Sequence, residues 1–220
     1  GKSSEDEKGA KLHGEELSKE SSTVKFVKTN FDEILIIGAF TSIQNGFGTT
    51  ETDQAVLAAF QRYSSQTHDL ESVQTYLHGL SDEQITGVVS SVKGILHEME
   101  FVKIENSDGD NITAAMFPET NHKGFDVAMS DSSTGDTWEI QLKTTDNQEY
   151  VQEWIAKYPD GEILLSEEIA STMGLDSSGF SNQELTGRVE DFVDQLISRG
   201  VGSSIWDLFP TLSLLSVSFV

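Results

Sequence analysis

Hydrophobic residues recur every three or four positions across residues 50–100, the spacing that predicts amphipathic α-helices. Residues 50–80 carry two such stripes, so we expect one or two helices there. The next helix has the clearest start, because Ser81-Asp-Glu-Gln84 forms a capping box directly before its first apolar residue. Its apolar face comprises Ile85, Val88, Val89, Val92, Ile95, Leu96 and Met99.

After a polar turn at residues 106–111 the pattern changes to short apolar runs, which are typical of β-strands. We predict strands at residues 112–117, 125–129, 137–144 and 162–166, and helices at 148–158 and after 166. The first three strands are close enough in sequence to be antiparallel neighbours, whereas the helix before the fourth permits a parallel crossover. The expected fold is therefore an α/β domain with a four-stranded mixed sheet and helices packed on it.

The pattern also divides the chain into segments. We predict a polar tail, a helical extension, an α/β core, a further helix and an apolar end, at residues 1–24, 25–80, 81–175, 176–200 and 201–220. The apolar end is shorter than the roughly 20 residues that a membrane span needs, and Asp207 and Pro210 interrupt it. Either it packs on the domain as a terminal helix, or it is part of a longer membrane-facing segment.

The composition of the chain limits the kinds of partner and of catalytic site that it can have. The 37 acidic and 14 basic side chains give a formal net charge of -23, which repels nucleic acid and anionic membranes at long range. Cysteine is absent, so disulfides, thiolate metal sites and cysteine catalysis are excluded.

Polar side chains converge on the second and third predicted strands. Glu139, Gln141 and Lys143 are two residues apart, so they point to one face of their strand. If these strands form a hairpin, Asp126 reaches the same face. Carboxylate and amide oxygens suit a hard divalent metal such as Mg²⁺ or Mn²⁺, and the lysine places a cation beside it.

The same alternation is also typical of the solvated face of an antiparallel sheet. Asp126 favours a shared site instead, because it stands between Phe125 and Val127 in an apolar strand. A buried carboxylate in such a strand needs a partner or a metal.

The order of these elements, with Asp126 and the Gln141-Leu-Lys143 motif, resembles the PD-(D/E)xK nuclease superfamily in its Gln-x-Lys, Mrr-type restriction endonuclease variant. Lys93-Gly-Ile-Leu-His-Glu98 and Tyr158-Pro-Asp160 are similar to motifs in nuclease-like domains of large bacterial toxin, phage and mobile-element proteins. The resemblance covers residues 81–174, and it implies the αβββαβ core of restriction endonucleases.

The resemblance also implies roles for individual residues. Asp126 and Gln141 would bind Mg²⁺ or Mn²⁺, with Glu139 or Glu98 as an additional acid. Lys143 would orient the attacking water or stabilise the charge that develops on the phosphate. The expected activity is metal-dependent phosphodiester hydrolysis of nucleic acid, with DNA favoured over RNA.

The shortage of cations opposes that expectation, because nucleic-acid binding draws on several phosphate-neutralising side chains. The chain has three arginines, Arg62, Arg188 and Arg199. The protein could work in a saline cytoplasm, or another chain could deliver the substrate. Alternatively, the fold has lost catalysis and binds protein partners, as an acidic structural component of a larger phage, particle or membrane assembly.

Overall fold

The computed structural model describes residues 51–118 and 124–198, which form six α-helices and four β-strands. The helices are α1 (Glu51–Tyr63), α2 (Leu70–His78), α3 (Asp82–Glu105), α4 (Gln148–Lys157), α5 (Glu167–Met173) and α6 (Asn182–Ile197). The strands are β1 (Ile112–Met116), β2 (Val127–Asp131), β3 (Thr137–Lys143) and β4 (Glu162–Leu165).

The four strands form one mixed sheet in the order β1-β2-β3-β4. Strands β1, β2 and β3 pair antiparallel, and β4 lies parallel to β3 after the α4 crossover. The end of β1, the start of β2 and the end of β3 therefore lie at the same edge of the sheet. Residues that flank these strand ends are brought together although they are far apart in sequence.

Helix α3 is the long central helix, and local chemistry fixes its start. The Ser81 hydroxyl accepts from the Gln84 N–H, and the Gln84 side chain accepts from the Ser81 N–H, as the capping box predicts. The helix packs on β1 and β3 and also contacts α1 and α6. Glu98 lies 17 residues after the N-cap Ser81, so the helix is long enough to place it near the sheet edge described above.

One large hydrophobic core lies on the α3 side of the sheet. It combines residues of α1, α2, α3 and α6 with Val127 and Met129 of β2 and Ile140 and Leu142 of β3. The opposite face carries two smaller clusters, one around Val151 and Leu165, the other around Phe117 and Ala128. The side chains of Glu139, Gln141 and Lys143 alternate with the core residues of β3, so they belong to that opposite face.

The predicted α/β class and four-stranded mixed sheet are confirmed. The limits of the strands differ, most of all for β2, which spans Val127–Asp131 instead of residues 125–129. Asp126 therefore precedes the strand instead of lying within it. No helix within residues 51–118 and 124–198 is long and apolar enough to cross a membrane. The predictions for the tail at 1–24, for residues 25–50 and for the apolar segment at 201–220 fall outside the described residues.

Candidate functional site

Asp126 is held at the sheet edge by a backbone hydrogen bond just before the start of β2. Its N–H donates to the Ile140 carbonyl at 2.9 Å, next to the last residue pair of β2 and β3, Val127 and Ile140. The carboxylate of Asp126 accepts a hydrogen bond of 3.0 Å from the Leu142 N–H. A backbone donor therefore fixes its direction before any ligand binds.

Gln141 is the direct partner of Asp126. Its side chain is 5% exposed, and its Nε2 donates to the Asp126 carboxylate and to the Leu142 carbonyl, the latter at 2.9 Å. The structure thus brings together Asp126 and Gln141, two of the three residues that were predicted as metal ligands; the third is Glu139. In this arrangement Gln141 presents its amide nitrogen to Asp126, so its oxygen could reach a metal only after the amide rotated.

Glu98 enters the site from α3, one helical turn beyond Gly94. Burial raises the pKa of Glu98 to about 8, and repulsion from Asp126 adds to the shift, while Arg62 and Lys143 oppose it. Glu98 therefore keeps its proton at neutral pH. Glu98 thus lies near Asp126, Arg62 and Lys143, and these four side chains form the candidate pocket at the sheet edge.

Lys143 is the last residue of β3 and lies on the same face as Gln141, partly exposed. Its carbonyl accepts from the Ser166 N–H at 2.9 Å, which holds the end of β3 against the end of β4. The strand end is thus rigid, while the side chain can reach toward solvent and the pocket. A lysine in this place can supply positive charge to a ligand bound at Asp126.

Arg62 is a member of this pocket that sequence reasoning missed. It lies in the last turn of α1, and its Nη2 donates to the carbonyl of Phe117, just beyond β1. Burial lowers the pKa of Arg62, and attraction to Glu98 opposes that effect. Its place next to an apolar helical stripe gave no indication of this role, because the contact spans 55 residues of sequence.

Glu139 lies one step further along β3. It faces Ala128 of β2, about 7 Å along the strand from Gln141, since alternate residues are that far apart. It lines a separate cavity of about 380 Å³ together with Phe125, Trp138, Asp160, Gly161 and Glu162. Its predicted share in the metal site stays a prediction.

A second carboxylate group lies at the turn after α3, where oxygens of Glu105, Asp108 and Asp110 come within 4.8 Å of one another. The Asp108 and Asp110 carboxylates accept from the N–H groups of Asp110 and Ile112 at 3.0 and 2.6 Å. Such bonds are what turn aspartates ordinarily make. We assign these residues to the turn, as the sequence predicted.

Comparison with known proteins gives no family for the chain. Searches of protein-family models, curated proteins and solved structures found no match. A functional assignment therefore depends on the chemistry of the pocket. Its oxygen donors, Asp126 and Glu98 with the Gln141 amide, are of the kind that Mg²⁺ and Mn²⁺ bind, and the set contains no soft ligand.

Proposed function

We propose that this chain is a metal-dependent phosphodiester hydrolase of nucleic acid, of the PD-(D/E)xK type. The observation that supports the proposal is the Asp126 carboxylate, held by Gln141 and the Leu142 N–H, with Glu98 near enough to feel its charge. Two carboxylates brought together at low solvation repel each other, so one of them stays protonated. A divalent cation between them would replace that proton and relieve the repulsion.

The residues of the pocket divide the chemistry. Asp126, fixed by the Leu142 N–H, and Glu98, after losing its proton, would hold Mg²⁺ or Mn²⁺. The metal would supply Lewis acidity at the scissile phosphate and lower the pKa of a bound water. Lys143 would orient the attacking water and stabilise the negative charge that develops on the phosphate oxygens. Gln141 would position Asp126 through their hydrogen bond.

A second function is favoured by one observation. The amide nitrogen of Gln141 donates a hydrogen bond to the Asp126 carboxylate, so this carboxylate has a partner without a cation. Together with the net charge of -23, this suits an inactive nuclease fold that binds a basic protein surface. Such a module would be a structural or interaction component of a larger assembly.

The direct test is cleavage of linear DNA, supercoiled DNA and RNA in Mg²⁺ or Mn²⁺, at low and high salt. We expect the wild type to cleave DNA, and Lys143→Ala to lower the single-turnover rate by about 100-fold, because it removes a charge that acts in the transition state. The control is Lys157→Ala, which removes a lysine whose amine lies 5.3 Å from the Tyr158 ring centre.

Each result has a clear meaning. Loss of cleavage in Lys143→Ala but not in Lys157→Ala would support the hydrolase. Equal cleavage by all three proteins would indicate a contaminating nuclease. If folded wild type cleaves none of the substrates, the interaction module becomes the better account.

A further inference from the structure

The guanidinium of Arg62 is held in one orientation, but not all of its N–H groups have a hydrogen-bond acceptor. Its Nη2 is anchored on the Phe117 carbonyl, while its Nε is buried and has no hydrogen-bond partner among the described residues. A buried donor without an acceptor costs about 1–3 kcal/mol, so such a group calls for a reason. An acceptor supplied by a ligand would be one.

Several other cationic side chains of the described residues already have a polar or charged partner. The Nε of Arg188 is also buried without a partner, but Arg188 already pairs with Glu100 at 3.1 Å. Lys103 pairs with Glu51 at 2.6 Å, and Lys93 donates to Asn182 at 2.7 Å. Within residues 51–118 and 124–198, no carboxylate lies within ion-pair distance of Arg62. Glu98 attracts the Arg62 guanidinium but forms no ion pair with it in this part of the chain.

We propose that Arg62 binds the non-bridging oxygens of the substrate phosphate and so acts as a positioning cation supplied by the helical extension. This inference rests on the proposed hydrolase function. It gives α1 a part in the site that the αβββαβ core does not itself provide.

The chemistry of arginine suits this role. Its planar guanidinium presents several N–H groups in a fixed fork that matches phosphate oxygens, whereas lysine offers a single point of charge. The bond to the Phe117 carbonyl restricts the side chain before substrate binds, which lowers the entropy lost on binding. In a chain of net charge -23, a cation held at the scissile phosphate also counters long-range repulsion of the substrate.

The test compares Arg62→Ala, Arg62→Lys and the control Lys103→Gln, which removes an exposed cation outside the pocket. Binding of a short fluorescein-labelled DNA duplex is measured by anisotropy in Ca²⁺, and single-turnover cleavage in Mg²⁺. Calorimetric titration with Mn²⁺ and the melting temperature report on the metal site and the fold.

We expect Arg62→Ala to weaken duplex binding about tenfold and to slow cleavage about 100-fold. Mn²⁺ affinity should be unchanged or higher, because a positive charge has left the pocket. Arg62→Lys should recover part of the binding, and Lys103→Gln should resemble the wild type. A purely structural arginine would instead lower the melting temperature and Mn²⁺ affinity together, which would overturn the proposal.

The remaining outcomes separate the two proposals. If wild type cleaves and Arg62→Ala cleaves and binds equally well, Arg62 has no such role and the hydrolase stands. If wild type binds the duplex without cleaving it, weaker binding by Arg62→Ala would support the phosphate contact while hydrolysis fails. If wild type neither binds nor cleaves, both proposals fail.

Discussion

Glu98 should give the protein a pH response that can be measured without any substrate. Its pKa is about 8 in the folded state and near 4.5 in an unfolded chain. A raised pKa means that the folded state holds the proton more tightly. The stabilisation is therefore complete below about pH 4.5 and is lost as the pH rises through about 8.

We predict that Glu98→Gln removes this dependence. Compared with the wild type, the metal-free variant should gain stability steadily from about pH 5 to about pH 8, by no more than about 1.4 kcal/mol per pH unit. Urea unfolding of both proteins in EDTA measures the difference. His97 also makes stability depend on pH, because burial lowers its pKa to about 4. The stabilisation from neutral His97 is lost as the pH falls from 6.5 through 4. This contribution is the same in both proteins, so it cancels in the difference.

The same variant also tests the metal site. If Glu98 is a ligand, Glu98→Gln should weaken Mg²⁺ binding at least tenfold, because an amide has no charge to offer the cation. An unchanged Mg²⁺ affinity at neutral pH would remove Glu98 from the site while leaving its pH response intact.

Sequence reasoning reached part of this pocket. Asp126, Gln141 and Lys143 could be placed from strand alternation and a single hairpin, both of which are local. Glu98 was predicted only from the family resemblance. The apolar periodicity of α3 shows which face is buried, but it does not show where the helix crosses the sheet. Arg62 could not be placed at all, since its position depends on a contact with the Phe117 carbonyl, 55 residues away in sequence.

At the scale of elements, Gly124 controls how the chain enters β2. It has a φ of 85°, and a Cβ placed on it would lie 2.4 Å from the ring of Tyr158. Gly135, in the turn between β2 and β3, has almost the same φ of 82°, but nothing lies within 4 Å of its Cβ position. The two glycines thus share a backbone requirement and differ in the space around them.

We predict that Gly135→Ala costs about 1–2 kcal/mol from its positive φ alone. Gly124→Ala should cost at least about 1 kcal/mol more, because the Tyr158 ring must move. It should also disturb the site, since Asp126 follows two residues later. Chemical denaturation of both variants measures the costs. If the two variants lose the same free energy of unfolding, the Tyr158 ring moves aside without a measurable cost.

A further variant isolates the clash. Tyr158→Ala in the Gly124→Ala background should recover some stability relative to the sum of the two single changes, because the obstructing ring is gone. Strict additivity would contradict a direct contact between the two positions.

The sequence predicted the elements better than their limits. The capping box placed the start of α3 because both of its hydrogen bonds lie within four residues. The start of β2 was wrong by two residues, since Phe125 and Asp126 look like strand residues but Asp126 keeps only one backbone bond to β3 at the sheet edge, to Ile140. There Phe125 packs against the rings of Trp154 and Tyr158 instead, a contact made with α4 and the residue that follows it.

At the scale of the whole molecule, the helical extension and the α/β region share one core. Phe60 of α1 and Phe192 of α6 lie with ring centres 5.8 Å apart, and both are fully buried. Gln74 of α2 also donates to the Leu196 carbonyl at 3.0 Å. Helices from both ends of the described chain therefore close over the same side of the sheet.

We predict that residues 81–175 alone do not fold, although the predicted αβββαβ core lies within them. Without α1, α2 and α6, the apolar face of α3 would be exposed to water over most of its length, at about 25 cal/mol for each Å². Residues 51–198 should unfold cooperatively on heating, monitored by circular dichroism. A cooperative transition in the shorter fragment would contradict this prediction.

The contact between Phe60 and Phe192 also has a consequence during biosynthesis. A ribosome adds about 5–20 residues per second, so α1 emerges several seconds before its partner in α6 exists. Until then the apolar surface that α6 buries on α1, α2 and α3 stays exposed to water, a state that aggregates or recruits chaperones. Helix α6, the last helix of the described residues to leave the exit tunnel, therefore completes this core.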